Sequence, residues 1–253
     1  MTELYGHEGK LAAFQKLIES GLLSHAYLFY GAPGIGKFHF AKILARRMEF
    51  GAVSPKKEPF LDTFFIEPDE KGTIGVETVR EIRKFLSQKP FRSSRRLAVV
   101  RDAEALTREA QSAMLKIVEE PGEAALIVFI AHDPQVLFAP LRSRLLRIYF
   151  RHFRKEELES ILVGLKVSAR DAKSIASKSF GRLDLALRFA KGKKIRTDDL
   201  FEEITQEILN LYFKGVKAES GKLSELLSRA TAAVRFNLNA NLQRKALEYI
   251  MEQ

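Results

Sequence analysis

One short glycine-rich segment near the start of the chain limits the folds it can adopt more than any other feature. Residues 31–37 read GAPGIGK, which matches the G-x-x-x-x-G-K pattern of a phosphate-binding loop. In such a loop the glycines let backbone N–H groups turn toward phosphate oxygens, and the lysine reaches the β- and γ-phosphates. The candidate nucleotide-binding residues are therefore Gly31, Gly34, Gly36 and Lys37.

The flanking sequence supports this interpretation, but the position after the lysine departs from the pattern. The apolar run at 26–30 predicts a buried strand, and the pattern at 38–47 predicts the helix that should follow. A serine or threonine normally follows the lysine because its hydroxyl binds Mg²⁺, whereas this chain has Phe38. The loop is thus compatible with ATP or ADP binding without efficient hydrolysis. The alternative is a glycine-rich strand–helix turn that binds no ligand.

Strand-like and helix-like segments alternate along the first part of the chain. A first amphipathic helix is predicted at 6–20, and Gly21 ends it. Besides 26–30, strands are predicted at 61–66, 96–101, 125–131 and 145–150, with helices between them at 76–87 and 107–120. Because such alternation is typical of a parallel sheet covered on both faces, the predicted fold class is α/β.

The pattern changes after residue 150, where only helical segments follow, at 155–165, 169–177 and 182–191. Three domains are therefore expected. An α/β domain with the phosphate-binding loop spans 1–150, a small helical domain spans 151–196, and a second helical domain spans 197–253.

Composition excludes several classes of protein. The chain of 253 residues contains no cysteine, so disulfides and cysteine-based zinc sites are not expected. The five histidines do not stand at metal-ligand spacing, and no metal site is predicted. No run of about 18 apolar residues suggests a membrane span. The first residues lack the basic and apolar regions of a signal peptide, so a cytoplasmic location is expected.

The formal net charge of +10 suits an acidic partner such as nucleic acid, although charge also serves solubility. The basic residues that could contact the phosphates of a duplex are Arg80, Arg83, Lys84, Lys89, Arg92, Arg95 and Arg96. The alternative is a solvated helix face followed by a polar loop. Nothing indicates base recognition, so any DNA contact should be independent of sequence. Within this stretch, Phe91 is the aromatic residue expected to be exposed.

Further motifs carry a family resemblance. The chain reads DAEALT at 102–107, SAMLKIVEEP at 112–121 and PLRSR at 140–144. Together with SHAYLF at 24–29 and the phosphate-binding loop, these motifs resemble the clamp-loader ATPases of the AAA+ class. Among these they are similar to the delta-prime subunits of bacterial DNA polymerase III. The resemblance implies that the helical domain at 151–196 is a lid and that 197–253 is a collar through which subunits oligomerise.

The chain departs from the active members of this family at the positions that handle metal and phosphate. Active motors end the third strand with two acids, of which the first binds Mg²⁺ and the second polarises water. In this chain the first of these positions is occupied by Arg101, and only the second, Asp102, is acidic. An alignment that makes Asp102 the metal ligand leaves Ala103 as the base. The sensor position after the fourth strand is His132, and Asp184 stands where motors carry arginine in the lid. The family's usual zinc cysteines are also missing. The resemblance therefore implies a subunit that does not hydrolyse ATP.

Arg144 stands where family members carry an arginine finger, which enters the ATP site of a neighbouring subunit. Such fingers stabilise the charge on the transferring phosphoryl group, so Arg144 is the candidate catalytic residue, acting in trans. The alternative is an ordinary surface arginine, since Arg142, Arg147 and Arg151 lie nearby.

The expected function is that of a non-hydrolysing clamp-loader subunit, a stator, of the bacterial replicative DNA polymerase III. It would help load the sliding clamp onto primed DNA without enzymatic activity of its own and without a required cofactor. The expected partners are gamma/tau motor subunits and delta subunits in a hetero-oligomer, together with the clamp and DNA. One alternative is an ATP-hydrolysing motor of the gamma/tau type that uses Lys37 and Asp102. Another is a DNA-binding or structural protein on an inactive P-loop fold.

Overall fold

The computed structural model describes residues 4–51, 58–179 and 181–192. The helices in this part of the chain are α1 (Glu8–Glu19), α2 (Lys37–Phe50), α3 (Val76–Leu86), α4 (Arg108–Glu119), α5 (Ala139–Arg142), α6 (Lys155–Gly164), α7 (Ala169–Lys178) and α8 (Leu183–Ala190). The strands are β1 (Ala26–Tyr30), β2 (Thr63–Ile66), β3 (Arg96–Val100), β4 (Ala125–Ala131) and β5 (Leu146–Tyr149). Short 3₁₀ turns at Ala103–Ala105 and Pro134–Val136 follow β3 and β4.

The strands form one sheet in the order β2-β3-β4-β1-β5, and every neighbouring pair is parallel. This confirms the predicted α/β class and parallel sheet. All residues of the central strand β4 are buried, as expected where helices cover both faces. The edge strand β5 differs, because Leu146 and Tyr149 are 53% and 52% exposed.

Two hydrophobic cores lie on opposite faces of the sheet. On one face Phe14 of α1 and Phe40 of α2 pack against Phe29 of β1, with ring centroids 5.5–5.8 Å apart. On the other face α3 and α4 bury apolar residues such as Ile82 and Met114 against the strands. The predicted helical patterns therefore give amphipathic helices that sandwich the sheet.

Helix α4 begins and ends where the sequence predicts. The Thr107 hydroxyl accepts a hydrogen bond from the N–H of Ala110 at 3.2 Å, which caps the helix. Buried Gln111 donates to the carbonyl of Leu106 at 3.3 Å and accepts from the N–H of Phe138 at 2.9 Å. This one side chain therefore links the turn after β3 to the start of α5.

The predicted strand at 61–66 begins later than expected, at Thr63. The carboxylate of Asp62, which is fully buried, instead accepts N–H groups from Phe91, Arg92 and Ser93 at 2.6–2.8 Å. Burial opposes ionisation of this carboxyl, but these bonds more than offset it and lower the pKa of Asp62. Asp62 thereby holds the loop before β3 in place.

Only helices follow β5 in the described residues, as predicted. One compact unit runs from residue 1 to Ala186 and contains the sheet together with α6 and α7; the second unit comprises 187–253. The separate lid at 151–196 stays a prediction, and the predicted collar at 197–253 lies outside the described residues. Among the helices that are described, none is long and apolar enough to cross a membrane.

Candidate functional site: the phosphate-binding loop and its surroundings

Three of the loops that carry predicted functional residues meet at one edge of the sheet. The phosphate-binding loop follows β1, Arg101 and Asp102 follow β3, and His132 follows β4. Because the strands are parallel, all three loops leave the carboxyl edge of the sheet. The chain passes from β1 to strands on one side of it and returns to β5 on the other. In open α/β sheets, ligands bind at the carboxyl edge where the strand order reverses in this way.

The phosphate-binding loop has the backbone that its glycines permit. The φ angles of Gly31, Gly34 and Gly36 are +137°, +73° and +96°, values that side chains of L-residues rarely adopt. A β-carbon at Gly31 would also lie 2.2 Å from the carbonyl oxygen of Phe150. Gly36 is the residue from which α2 begins. The predicted strand, loop, lysine and helix are therefore all present.

The side chain of Lys37 bonds to its own loop. Its ammonium donates to the carbonyls of Gly31 at 2.5 Å and Ala32 at 2.7 Å, and the residue is 7% exposed. Burial lowers the pKa of Lys37 to about 8, although the carboxylates of Glu104 and Asp102 oppose the shift. A phosphate would have to compete with these carbonyls for the ammonium.

An aromatic ring and a guanidinium occupy the positions at which motors carry metal ligands. The guanidinium of Arg101 lies 5.0 Å from the centroid of the Phe38 ring and donates to Glu67 at 2.8 Å. The ammonium of Lys42 lies 4.2 Å from the same ring, and Phe65 packs edge-on against it. Such cation–π contacts are attractive, but the two cations repel a metal ion and Phe38 has no oxygen. The residues present here do not fit Mg²⁺.

Glu104 belongs to the same site. Its Oε1 atom accepts hydrogen bonds from the backbone N–H of His132 and from the ring Nδ1 of His132, the latter at 2.7 Å. Although burial opposes ionisation, the bonds from His132 lower the pKa of Glu104. The carbonyl of His132 in turn accepts the N–H of Gly31 at 3.2 Å. His132 therefore connects Glu104 to the phosphate-binding loop.

Asp184 lies directly on the loop. Its backbone N–H donates to the carbonyl of Gly34 at 3.0 Å. A β-carbon placed on Gly34 would lie 1.9 Å from Oδ1 of Asp184. That oxygen is buried and has no hydrogen-bond partner among the described residues, whereas Oδ2 lies 3.4 Å from Nη2 of Arg182. The structure thus brings a carboxylate against the segment that should receive phosphate.

Arg144 lies between α5 and β5, and its guanidinium bonds to residues outside the phosphate-binding loop. Nη2 pairs with Glu119 Oε1 at 2.7 Å, and Nη1 donates to the carbonyl of Pro140 at 2.8 Å. Its side chain remains 42% exposed. By contrast, Arg142 donates to Gln135 at 2.5 Å and to the carbonyl of Leu137 at 3.3 Å. Arg142 therefore stabilises the segment between β4 and α5, whereas the Arg144 side chain is accessible at the surface.

Sequence comparison places this site within a family. Residues 6–154 match the family described as DNA polymerase III, delta subunit. The chain belongs to this DNA polymerase III delta-subunit family. The match covers the whole sheet and its phosphate-binding loop, so the resemblance inferred from the motifs is confirmed.

The similarity extends to individual relatives. The chain is 29% identical over 176 residues to the gamma/tau subunit of DNA polymerase III from Mycobacterium tuberculosis, covering 64% of this chain and 30% of that protein. It is 26% identical over 209 residues to the delta-prime subunit from Bacillus subtilis, covering 77% and 60% of the two chains. The matches therefore span less than two thirds of either relative.

A solved structure supports the fold. The crystal structure of a DNA polymerase III gamma subunit-related protein from Thermotoga maritima superposes with a TM-score of 0.57 at 20% identity. The superposition covers 95% of this chain and 97% of the other. At this level of identity the likeness establishes the fold alone.

The basic stretch of this delta-family chain is partly engaged within the protein. Arg80 pairs with Glu77 at 2.6 Å, and Arg92 pairs with Glu58 at 2.5 Å. Arg95 and Arg96 donate to backbone carbonyls of neighbouring loops. Arg96 also pairs with Asp62 at 3.6 Å. Of the seven basic residues, only Arg83, Lys84 and Lys89 have neither an ion pair nor a side-chain hydrogen bond among the described residues. Phe91 is 76% exposed, as predicted.

Sequence reasoning missed three residues that surround the functional positions. Glu104 lies just beyond positions 101–103, where the family pattern calls for acids, and Asp102, two residues before it, adopts a left-handed backbone with φ +55°. Buried His7 donates from Nε2 to the carbonyl of Ile35 at 3.0 Å, so it holds the loop from the N-terminal side. Glu119 is the last residue of α4, where a carboxylate is unfavourable beside the free helix carbonyls. Its position at the predicted helix end was the one signal in the sequence that a cation lies nearby.

Proposed function

We propose that this chain is a non-hydrolysing clamp-loader subunit of the bacterial replicative DNA polymerase III. In this proposal it holds a fixed place in the clamp-loading complex and supplies Arg144 to the ATP site of a neighbouring motor. The observation that carries the proposal is the contact between Phe38 and Arg101, with 5.0 Å between the ring centroid and the guanidinium carbon. Both residues stand at positions that a motor needs for Mg²⁺.

The replacement of the expected hydroxyl by Phe38 and of the first expected acid by Arg101 bears directly on catalysis. Phosphoryl transfer depends on metal ions that neutralise charge on the phosphate oxygens, which contributes several kcal/mol to the transition state. Arg101 carries a positive charge but is paired with Glu67 at 2.8 Å, so it is not free to replace the metal. The proposal therefore needs no cofactor. It leaves room for weak ADP or ATP binding through Gly36 and Lys37.

Asp184 also opposes nucleotide binding, because its carboxylate lies against the loop that would hold the phosphates. In the family that the motifs resemble, motors carry arginine in the lid just after a Gly-x-x sequence, and this chain has Asp184 after Gly181 and two further residues. A carboxylate against Gly34 repels a phosphate that approaches the loop. The chain's own nucleotide site is thus poorly suited to ATP, which supports a role as a stationary subunit.

Arg144 is the residue proposed to act on a partner. Because Phe38 and Arg101 stand where a motor needs metal ligands, an arginine finger here would serve the γ-phosphate bound by an adjacent gamma/tau subunit. Its exposed guanidinium can fork onto phosphate oxygens and stays charged at any physiological pH. Partners proposed on the same basis are a delta subunit, the sliding clamp and primed DNA, the last contacted independently of sequence through Arg83, Lys84 and Lys89.

The second candidate is an ATP-hydrolysing motor of the gamma/tau type. It is favoured by the similarity to gamma/tau subunits and by the intact loop glycines with Lys37. Turnover of ATP by the purified chain decides between the two. The third candidate, a structural or DNA-binding protein on an inactive fold, predicts no effect on any motor.

Reconstitution tests the proposal. The full chain should co-purify with gamma/tau and delta subunits, and the complex that contains it should load the sliding clamp onto primed DNA faster than the complex without it. The same mixture should show higher ATP turnover in the presence of clamp and DNA. If the chain neither co-purifies with these subunits nor changes their turnover, the proposal is wrong.

A further inference from the structure

Arg144 and Glu119 form an ion pair at the surface, with Nη2 of Arg144 2.7 Å from Oε1 of Glu119. We infer that Glu119 is a positioning residue: its carboxylate holds the Arg144 guanidinium ordered at the surface, ready to enter the neighbouring ATP site. This inference rests on the proposed function of Arg144 and names a further residue on which that function depends.

The backbone that carries Arg144 is fixed by the core. Leu141 is fully buried, and the N–H of Arg144 donates to the carbonyl of Leu141 at 3.1 Å. The Ser143 hydroxyl donates to the carbonyl of Pro140 at 3.0 Å. The Cα atom of Arg144 therefore has little freedom, and what remains to be ordered is its long side chain.

Three groups contact that side chain. Nη2 of Arg144 pairs with Oε1 of Glu119 at 2.7 Å, and Nη1 donates to the Pro140 carbonyl at 2.8 Å and, more weakly, to the Ser143 hydroxyl at 3.5 Å. Pro140 and Ser143 belong to the same short segment as Arg144, whereas Glu119 comes from the end of α4. Among the described residues, Glu119 is thus the only partner that ties the guanidinium to a separate, core-packed helix.

The position of Glu119 on its helix supports a role for this pair. A carboxylate at the last residue of a helix faces the negative end of the helix dipole and is unfavourable there. The Arg144 cation compensates both the carboxylate and the dipole. A helix C-terminus is stabilised by cations, and Lys116 already supplies one in the last turn of α4. An acid at position 119 therefore does not help to stabilise the helix. The local energetics of α4 therefore do not explain Glu119, but the orientation of Arg144 does.

The exposure of the pair is suited to exchange with a phosphate. The side chains of Arg144 and Glu119 are 42% and 39% exposed. Exposed pairs of this kind are weak, so the guanidinium can leave Glu119, or keep one N–H on it, at little cost when a phosphate arrives. An unpaired arginine would instead have to order its freely rotating side chain during the reaction.

The test uses the complete complex of this chain with gamma/tau and delta subunits. The part of ATP turnover that depends on Arg144 is the difference between the wild-type complex and the Arg144→Ala complex. Glu119→Gln should lower kcat for this part about two- to fivefold, which is the value of an exposed ion pair, and leave KM for ATP unchanged. Glu120→Gln is the matched control, because it removes the adjacent acid, which has no ion pair in the described part of the chain, and it should leave turnover unchanged.

Two further measurements distinguish positioning from a general structural effect. In the Arg144→Ala background, Glu119→Gln should have no additional effect. The advantage of wild type over Glu119→Gln should also shrink as salt concentration rises, because salt screens an exposed pair. In the isolated full chain, NMR of the arginine Nε–H groups should show Arg144 becoming mobile in Glu119→Gln but not in Glu120→Gln.

The outcomes separate this inference from the proposed function. If Arg144→Ala leaves turnover unchanged, the finger itself is wrong and Glu119 has nothing to position. If Arg144→Ala lowers turnover but Glu119→Gln leaves it unchanged or raises it, the finger stands and the positioning role is overturned. An additional loss in the Arg144→Ala background would likewise overturn it, because Glu119 would then act through another residue.

Discussion

Asp184 and Gly34 are packed so closely that a side chain at position 34 would displace the Asp184 carboxylate. A β-carbon there would lie 1.9 Å from Oδ1 of Asp184, and the backbone of Asp184 is bonded to the Gly34 carbonyl at 3.0 Å. The start of α8 is therefore attached to the phosphate-binding loop by a contact that depends on one glycine and one carboxylate.

The contact predicts that an alanine at position 34 destabilises the fold more than an alanine at Gly72, a glycine of similar backbone conformation without such a contact. Gly34 and Gly72 have nearly the same φ, +73° and +74°, but a β-carbon at Gly72 would meet nothing within 4 Å. Gly72→Ala should lower the free energy of unfolding by about 1–2 kcal/mol, the cost of a left-handed alanine. Gly34→Ala should cost about 1–3 kcal/mol more because Asp184 must move. Urea unfolding measures both; equal losses would show that Asp184 does not pack on Gly34.

Removing the Asp184 carboxylate should make the loop a better anion site. Asp184→Asn keeps the shape and removes the charge, and Asp184→Ala removes both. We expect the affinity for a fluorescent ADP analogue to rise about tenfold or more in Asp184→Ala, a conservative value for a nearby like charge. The gain in Asp184→Asn measures the share due to charge, and the amount by which it falls short of the gain in Asp184→Ala measures the share due to the bulk of the side chain. Glu70→Ala, which removes an exposed acid from the loop after β2, should leave the affinity unchanged; unchanged affinity in all variants would exclude Asp184 as the barrier.

The purified chain should show no meaningful Mg²⁺-dependent ATP hydrolysis. Phe38→Ser restores the missing hydroxyl but leaves Arg101 in place, so it should not restore turnover. Phe38→Ser combined with Arg101→Asp removes both obstacles and should bind Mg²⁺ more tightly than either single variant, as measured by nucleotide affinity with and without the metal. Wild-type turnover of about 1 s⁻¹ or more that Lys37→Ala abolishes would instead identify the chain as a motor.

Lys37 should make the chain more stable as the pH rises above 8. In the folded chain its pKa is about 8, against an ordinary value of 10.5. The unfolded chain therefore holds the proton over this interval while the folded chain has lost it, so the free energy of unfolding rises with pH. Relative to Lys37→Met, the gain between pH 7 and pH 10 should be about 2 kcal/mol, reduced from the full shift by solvent screening. Urea unfolding of both proteins at several pH values measures this difference, and parallel profiles would show that Lys37 keeps its ordinary pKa.

Arg144→Ala should leave folding and assembly intact but lower clamp- and DNA-stimulated ATP turnover of the reconstituted complex. An arginine finger raises kcat ~10³–10⁵-fold at the site it enters. Arg144→Ala should therefore remove nearly all of the ATP turnover that this one site contributes to the complex. Arg142→Ala is the matched control. Its side chain holds Gln135 and the carbonyl of Leu137, so it should affect local stability and leave turnover nearly unchanged. Equal effects of the two variants would make Arg144 an ordinary surface arginine.

The sequence was most informative where local pattern alone decides the outcome. The apolar run of β4 and the glycines of the phosphate-binding loop predicted a buried strand and a positive-φ turn, and both are present. Chemical identity was equally direct: Phe38 cannot supply a hydroxyl in any conformation. The motif resemblance that led to the family was likewise confirmed, since it depends on short contiguous segments rather than on how they pack.

Pairings between distant residues could not be read in this way. Nothing in the sequence around Glu119 indicates that it meets Arg144, because that contact requires the end of α4 and the loop before β5 to converge on the same edge. Glu104 contacts His132 across 28 residues of sequence, after a positive φ at Asp102, and Asp184 contacts Gly34 although the two are far apart in the chain. Secondary structure follows from local residue types and their spacing, whereas these contacts depend on how the sheet and helices pack. The sequence by itself therefore determined the α/β fold with its glycine-rich loop and the residues Phe38 and Arg101 that stand in place of metal ligands. The tertiary structure decided that Asp184 contacts the loop and that Glu119 pairs with Arg144.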